Sequence, residues 1–369
     1  MAERILAPMM RDICEQPELI RQCICWEQEG GTADFVKLFI ERKFERVLFC
    51  GSGSVATAAY VLHHIVRKMM RVETHIAFSG LLLRHSDFDF PGDAQLPHTL
   101  LICPAESGYT RGPVELARLA KKQSVCVAST ARDQENCLAR ESDVVIQKLS
   151  GTERALPSTK GYTMGILQLI LCIVDAALAM GRISKASHQE FYDSLNGLSE
   201  NCQKILKSAQ SWYERTSTVF RKAPVYRIIG YGVNYGTAME GALKFEEALK
   251  RMTKSYELEE FLHGPVGAIY PGDVLVFLFA EIGDEYERMA QLCHEMRFVT
   301  TNCIAIGNVP EALVDEKSFR FSVSKNEMLN PIELILPLQV AACRTAYDLQ
   351  IDTTKRVNSF VKEKLRPSF

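Results

Sequence analysis

Several motifs that would name a chemistry outright are missing from this 369-residue chain. There is no CxxC pair and no grouping of His and Cys at zinc-ligand spacing, which sets aside the common structural zinc modules. There is no GxGxxG fingerprint: the glycine-rich turn Gly51-Ser52-Gly53-Ser54 has Ala56 where the third glycine would stand. Charge of one sign is not in excess, with 43 basic and 45 acidic residues and a formal net charge of −2. No long block of like charge occurs either, so the clustered positive footprint of a nucleic-acid or membrane-surface binder is absent. The most apolar run, Met164 to Met180, contains Gln168 and Asp175 and is short for a bilayer, so it reads as a buried helix. The opening MAERILAPMMRD lacks the apolar core of a secretory signal. The twelve cysteines are scattered, and Cys50, Cys103, Cys126 and Cys172 lie inside apolar runs, where Cys acts as a small hydrophobe. Cys23 and Cys25 are too close for an easy disulfide. A reducing cytoplasm is the expected setting.

What is present is a substantial apolar fraction, 47%, enough for two domains. Short apolar runs alternate with longer amphipathic ones. Strands are expected at 46–50, 99–104, 124–129 and 143–147, and helices over about 56–71, through Lys121, and over 159–180. After a polar helical stretch, 186–221, the pattern restarts. Strands are expected at 226–230, 273–280 and 303–307, with helices over 237–249, to about 297, and over 333–348. The expected fold class is α/β: two similar domains, 1–190 with an N-terminal helical segment and 191–369 with a C-terminal tail. Each is a parallel sheet in a three-layer αβα sandwich, doubly wound in the flavodoxin manner. No low-complexity linker separates them.

In such sheets ligands bind beyond the carboxyl ends of the strands. Three turns there are rich in small polar residues: Gly51–Ser54, Glu106–Thr110 and Leu156–Lys160. Each alone reads equally as an ordinary helix cap. Three together, all preceding helices, favour a cradle for a phosphate or for sugar hydroxyls.

The richest segment is Glu240-Gly241-Ala242-Leu243-Lys244-Phe245-Glu246-Glu247. At helical spacing Glu240, Lys244 and Glu247 share one face. A solvated salt-bridged face is the plain alternative. Core-like Ala242, Leu243 and Phe245 surround it, however, and a carboxylate among them would have its pKa raised, as suits a general base. Sixteen residues on, His263 stands before Gly264-Pro265, with Glu259 and Glu260 placed to orient it.

These residues resemble a known family. The chain is similar, over nearly its whole length, to the isomerase half of glucosamine-6-phosphate synthase, which is built from two sugar isomerase (SIS) domains. The resemblance is carried by Met10-Arg11-Asp12-Ile13-Cys14-Glu15-Gln16-Pro17, by Gly151-Thr152-Glu153 with Pro157-Ser158-Thr159-Lys160, by Glu240–Glu247 and Leu262–Pro265, and by Pro337-Leu338-Gln339. It implies that Glu247 shuttles a proton between sugar C1 and C2. It implies that His263, supplied by the neighbouring subunit of a dimer, opens the ring. Glu240 and Lys244 support the site, while Ser52, Gly53, Ser54, Ser107, Thr110 and Ser158 hold the phosphate and hydroxyls. No metal and no cofactor are implied.

Departures from the family pattern point further. The chain begins within a few residues of the isomerase module, so no glutaminase is expected. Where the family has Ser-Gln-Ser-Gly-Glu-Thr, this chain reads Ala105-Glu106-Ser107-Gly108-Tyr109-Thr110, losing a hydroxyl and gaining a carboxylate that Arg111 stands near enough to offset. The family's Schiff-base lysine aligns with Val361, one place before Lys362. The pattern resembles the deglycases of phosphorylated Amadori compounds. The expected substrate is therefore an amino acid–sugar 6-phosphate adduct, cleaved to amine and hexose 6-phosphate by a homodimer or larger homo-oligomer with shared active sites. The alternatives are a glucosamine-6-phosphate deaminase or isomerase using free ammonia, and a non-catalytic sugar-phosphate sensor.

Overall fold

The computed structural model describes residues 7–86, 88, 95–133, 135–280 and 283–368. Helices α1 (Pro8–Gln28) and α2 (Ala33–Arg42) precede a first series: β1 (Arg46–Cys50), α3 (Ser54–Met70), β2 (Glu73–Ala77), the single turn α4 (Ser79–Leu81), β3 (Thr99–Cys103), α5 (Arg111–Lys122), β4 (Cys126–Ala131), β5 (Val144–Gln147) and α6 (Lys160–Ala179). Helices α7 (Lys185–Asn196) and α8 (Leu198–Lys222) lead to the second series. This runs β6 (Tyr226–Gly230), α9 (Asn234–Leu249), β7 (Thr253–Glu257), α10 (Leu258–Leu262), β8 (Val274–Phe279), α11 (Asp284–Met296), β9 (Cys303–Gly307), β10 (Phe319–Arg320) and α12 (Asn330–Asp348). A last short helix, α13 (Ser359–Leu365), follows.

Each series forms a five-stranded parallel sheet, in the orders β2-β1-β3-β4-β5 and β10-β9-β8-β6-β7. Numbered within its own series, the second order is the first read backwards, so both have the flavodoxin-type winding expected from the βα alternation. The inner strands are apolar on both faces because helices cover both: β1, β3, β8 and β9 are buried at every position.

Three strands escape the hydrophobicity pattern. β2 (ETHIA) and β7 (TKSYE) lie at sheet edges, where most of their residues are only partly buried, and β10 is two residues long. A strand with one edge in solvent needs no apolar run. The expected strand at 124–129 starts two residues later, because Ser124 turns the chain with φ 63°. The polar stretch 186–221 is two helices, broken at Gly197. Helix α6 is long and apolar enough to cross a membrane, but 83% of its most apolar window is buried inside the protein.

The chain divides into two compact units that do not follow chain order. One contains the segment through Glu18, the turn Glu153–Lys160, and Asp193–Lys355; the other contains Leu19–Thr152, Gly161–Tyr192 and the tail from Arg356. In the first unit, segments far apart in sequence converge on a buried polar network. Fully buried Asp12 accepts from the Arg154 amide at 2.7 Å and its guanidinium at 2.6 Å, and Lys160 pairs with Glu15 at 2.7 Å. Gln16 donates to Gln339 at 2.7 Å, and Gln339 in turn donates to the Thr159 carbonyl at 3.4 Å. The Met10–Pro17, Glu153–Lys160 and Pro337–Gln339 segments are thus the struts of one turn.

Candidate functional site

In the second-described unit the chain leaves β1 toward β2 on one side and β3 toward β4 on the other. Diverging connections leave a crevice between the ends of β1 and β3, the place where such sheets bind ligands. A cleft of about 140 Å³ lies there, lined among others by Ser52, Glu106, Ser107, Gly108 and Thr110. Gly53 enters α3 with φ 62°, which only glycine adopts at little cost. Gly108, with φ 72°, also lies against Asn136, whose Oδ1 would be 1.9 Å from an added Cβ. Buried Asn136 fixes that wall, accepting from the amides of Leu138 and Ala139 at 2.9 Å each.

Thr110 precedes α5 without a side-chain capping bond, so its hydroxyl is not spent as a cap. Ser107 Oγ only accepts a long 3.4 Å contact from the Tyr109 amide. Ser54 is the first residue of α3. The carboxylate introduced at Glu106 is met by Lys148, immediately after β5, in a direct ion pair. Lys148 therefore takes the offsetting role expected of Arg111, which instead stands 3.8 Å from Glu115 on the surface of α5. Ser158 belongs to the other unit, where its hydroxyl donates to Glu153 at 3.3 Å. Glu153 also accepts from the Thr159 amide at 2.7 Å, capping α6 with a carboxylate.

The acid–base segment forms helix α9 of the first-described unit. Glu240 and Lys244 are fully buried, 3.2 Å apart, and Lys244 also reaches Glu247 Oε2 at 2.6 Å. Burial opposes the Lys244 ammonium, but the two carboxylates outweigh it and hold its pKa above the usual lysine value. The apolar enclosure expected around Glu247 falls instead on Glu240 and Lys244, while Glu247, at i+7 on the same face, stands in the last turn of α9. The Glu247 side chain is 37% exposed. Gly241 lets α9 approach α12: an added Cβ would meet Leu338 Cδ1 at 2.4 Å.

His263 ends α10 and is exposed, followed by Gly264 at φ 118° and the turn opened by Pro265. Glu259 makes no hydrogen bond to its ring. Arg288 holds that carboxylate at 2.7 and 3.1 Å and keeps its pKa below the ordinary range. Glu257 caps α10 instead, accepting from the amides of Glu259 and Glu260. The structure thus joins Glu240, Lys244 and Glu247 in one chain of contacts and leaves His263 outside that chain. Lys148 and Asn136 are the residues with a place in these sites that the pattern of the sequence does not single out, and Glu153 entered only as part of the resembling segment, without a role. Among the described residues no three His, Cys, Asp or Glu side chains gather as a metal site.

Residues 220–348 match the family model of the SIS domain. The chain is 24% identical over 359 residues to the isomerizing glutamine–fructose-6-phosphate aminotransferase of Caldanaerobacter subterraneus subsp. tengcongensis, covering 95% of this chain and 57% of the relative. It therefore spans a little over half the length of that relative. Among solved structures it resembles the C-terminal domain of glucosamine-fructose-6-phosphate aminotransferase from Francisella tularensis, with TM-score 0.84, 18% identity, and 96% and 100% of the two chains covered. It also resembles glucosamine-6-phosphate deaminase from Thermotoga maritima, with TM-score 0.72, 20% identity, and 95% and 98% covered. Residues 220–348 are thus a SIS domain, and the chain as a whole is homologous to the isomerase portion of glucosamine-6-phosphate synthase and has the double-SIS phosphosugar isomerase fold.

Proposed function

We propose that this chain is a sugar-phosphate deglycase, working by the proton transfer of a phosphosugar isomerase. The observation that carries the reading is the Glu240–Lys244–Glu247 series on α9. It presents one carboxylate to solvent, held in a fixed orientation by a buried ammonium whose own charge is balanced from below. A surface salt bridge needs no such buried support, and a sugar-phosphate sensor needs no oriented base.

With a 1-amino-1-deoxyketose 6-phosphate bound, Glu247 takes a proton from C1. The electron pair forms the C1–C2 double bond and the C2 oxygen gains a proton, giving the enaminol. Glu247 then returns its proton to C2 while the nitrogen lone pair forms the C1–N double bond; the N–H proton is lost, the C2 hydroxyl is kept, and an imine is left between C1 and nitrogen. Water adds at C1, the C1–N bond breaks, and the amine leaves with its proton. For an adduct built from the aldose side, the isomerisation runs in reverse. His263 assists ring opening, and its exposed position on the Gly264-Pro265 turn suits a residue offered to the active site of a second copy in a homodimer. A reducing, cytoplasmic setting fits the twelve cysteines, all free thiols.

A deaminase or isomerase acting with free ammonia uses the same residues, and the likeness to the Thermotoga maritima deaminase fold favours keeping it as the second reading. The products decide. The protein is incubated with fructosyl-lysine and glucosyl-lysine 6-phosphates, and separately with glucosamine 6-phosphate, while lysine, hexose phosphate and ammonia are measured. Release of lysine with hexose 6-phosphate is the expected result. Turnover of glucosamine 6-phosphate alone replaces the deglycase with the deaminase. No turnover, with a rise in melting temperature on adding the same compounds, overturns both in favour of a sensor.

A further inference from the structure

The cleft between β1 and β3 contains a contradiction in charge. The N-termini of α3 and α5 and the hydroxyls of Ser52, Ser107 and Thr110 suit an anion. Yet Glu106, a carboxylate about a third exposed, lines the same space. Its presence is built in rather than incidental. Lys148, only 3% exposed, pairs with it from behind. Helix α6 is hollowed to admit both: a Cβ on Gly161 would lie 2.5 Å from Glu106 Oε1, and one on Gly165 would lie 3.2 Å from Lys148 Cε. Two glycines four residues apart inside a helix are disfavoured on their own account, so the room they make has to serve something. The backbone carbonyl of Glu106 is held as well, accepting from Arg132 Nε at 3.3 Å.

Lys148 balances Glu106 but is too deeply buried to meet a ligand in its place. The charged side chain that faces the cleft is therefore the carboxylate, an acceptor for hydroxyl and ammonium donors that repels a phosphate dianion. We propose that Glu106, backed by Lys148, is the specificity-determining residue of this cleft, lowering its preference for a phosphoryl group so that phosphorylated and unphosphorylated amino sugars bind comparably. This rests on the reading of the cleft as a sugar-phosphate subsite and deepens it, because it widens the substrate class to the unphosphorylated sugar.

The test is equilibrium binding by calorimetry, with glucosamine, glucosamine 6-phosphate and inorganic phosphate as probes. The native protein, Glu106→Gln and Glu106→Ser are compared at low and high salt. The amide keeps the shape that Gly161 accommodates but leaves the Lys148 charge unbalanced; the serine supplies a hydroxyl with no charge. In the native protein the 6-phosphate is expected to bind within about tenfold of the free sugar, and in Glu106→Gln its advantage grows by about tenfold or more, as removing a like charge several ångströms away implies. Added salt shrinks the gain. A phosphoryl preference that moves less than twofold in both variants overturns the proposal, as does a native protein that binds the 6-phosphate a thousandfold more tightly than the sugar. Because binding is read without turnover, a protein that shows the expected shift but converts no substrate leaves the proposal standing and removes only the enzymatic reading. Failure of all three probes to bind any form overturns the subsite and the proposal together.

Discussion

Lys244 Nζ lies 2.6 Å from Glu247 Oε2, so the outer carboxylate of the Glu240–Lys244–Glu247 series is tied to an ammonium with no exposure of its own. That contact positions a base without enclosing it.

The first prediction concerns the base itself. Glu247→Gln keeps the size of the side chain and a hydrogen-bond partner for Lys244, but cannot carry a proton between carbons. Its kcat on a fructosyl-amino-acid 6-phosphate should fall by orders of magnitude with KM nearly unchanged, the signature of a group acting in the transition state. Steady-state kinetics check this, and an unchanged kcat removes Glu247 from the role.

The second concerns the buried ammonium. Lys244→Met leaves the fully buried Glu240 carboxylate without its counter-charge. Removing one member of a buried pair costs about 3–5 kcal/mol. The variant should unfold at markedly lower urea concentration, and Glu240→Gln combined with Lys244→Met should recover much of the loss. If the single variant is as stable as the native protein, Lys244 does not offset Glu240.

These contacts also show how far the sequence could be read. Glu240, Lys244 and Glu247 are placed by helical spacing alone, and α9 has that spacing. Which of them is buried is set by α12 packing over Gly241, a contact between residues nearly a hundred positions apart that no local pattern encodes. The inner strands β1, β3, β8 and β9 show as apolar runs because both their faces are covered, whereas edge strands β2 and β7 carry Glu, Thr, Lys and Ser and give no such signal. Lys148 falls just past β5 and meets Glu106 only through the pairing of β5 with β4 and β4 with β3. A charge introduced into a turn can be read from the sequence, but its partner cannot.

The third prediction is a pH dependence of stability. Burial raises the Glu333 pKa from 4.5 to about 7, against the opposing bonds from the Ser324 amide and Asn201. The folded state therefore holds this proton more firmly than the unfolded chain. The stabilisation is fully present below about pH 4.5 and is lost as pH rises through about 7. At about 1.4 kcal/mol per unit the loss is on the order of 3 kcal/mol. Glu333→Gln should abolish this component, so its stability relative to the native protein grows between pH 5 and pH 8 in urea titrations. A constant difference across that range refutes the protonated carboxyl.

The fourth concerns the shared site. Neither Glu247 nor His263 hydrogen-bonds to the other, and the exposed histidine stands on a turn fixed by Gly264 and Pro265. If a partner copy supplies it, His263→Ala and Glu247→Gln homodimers are each inactive. A mixed dimer of the two, by contrast, has one active site with both groups intact and one with neither. Mixing equal amounts and allowing subunits to exchange should then restore about a quarter of native activity, since half the dimers are mixed and each has one competent site of two. Activity of the exchanged mixture, with exchange verified by mass spectrometry of differently tagged chains, is the measurement. No recovery despite complete exchange would place Glu247 and His263 of a single chain in the same site, and the histidine would then have to reach its own α9.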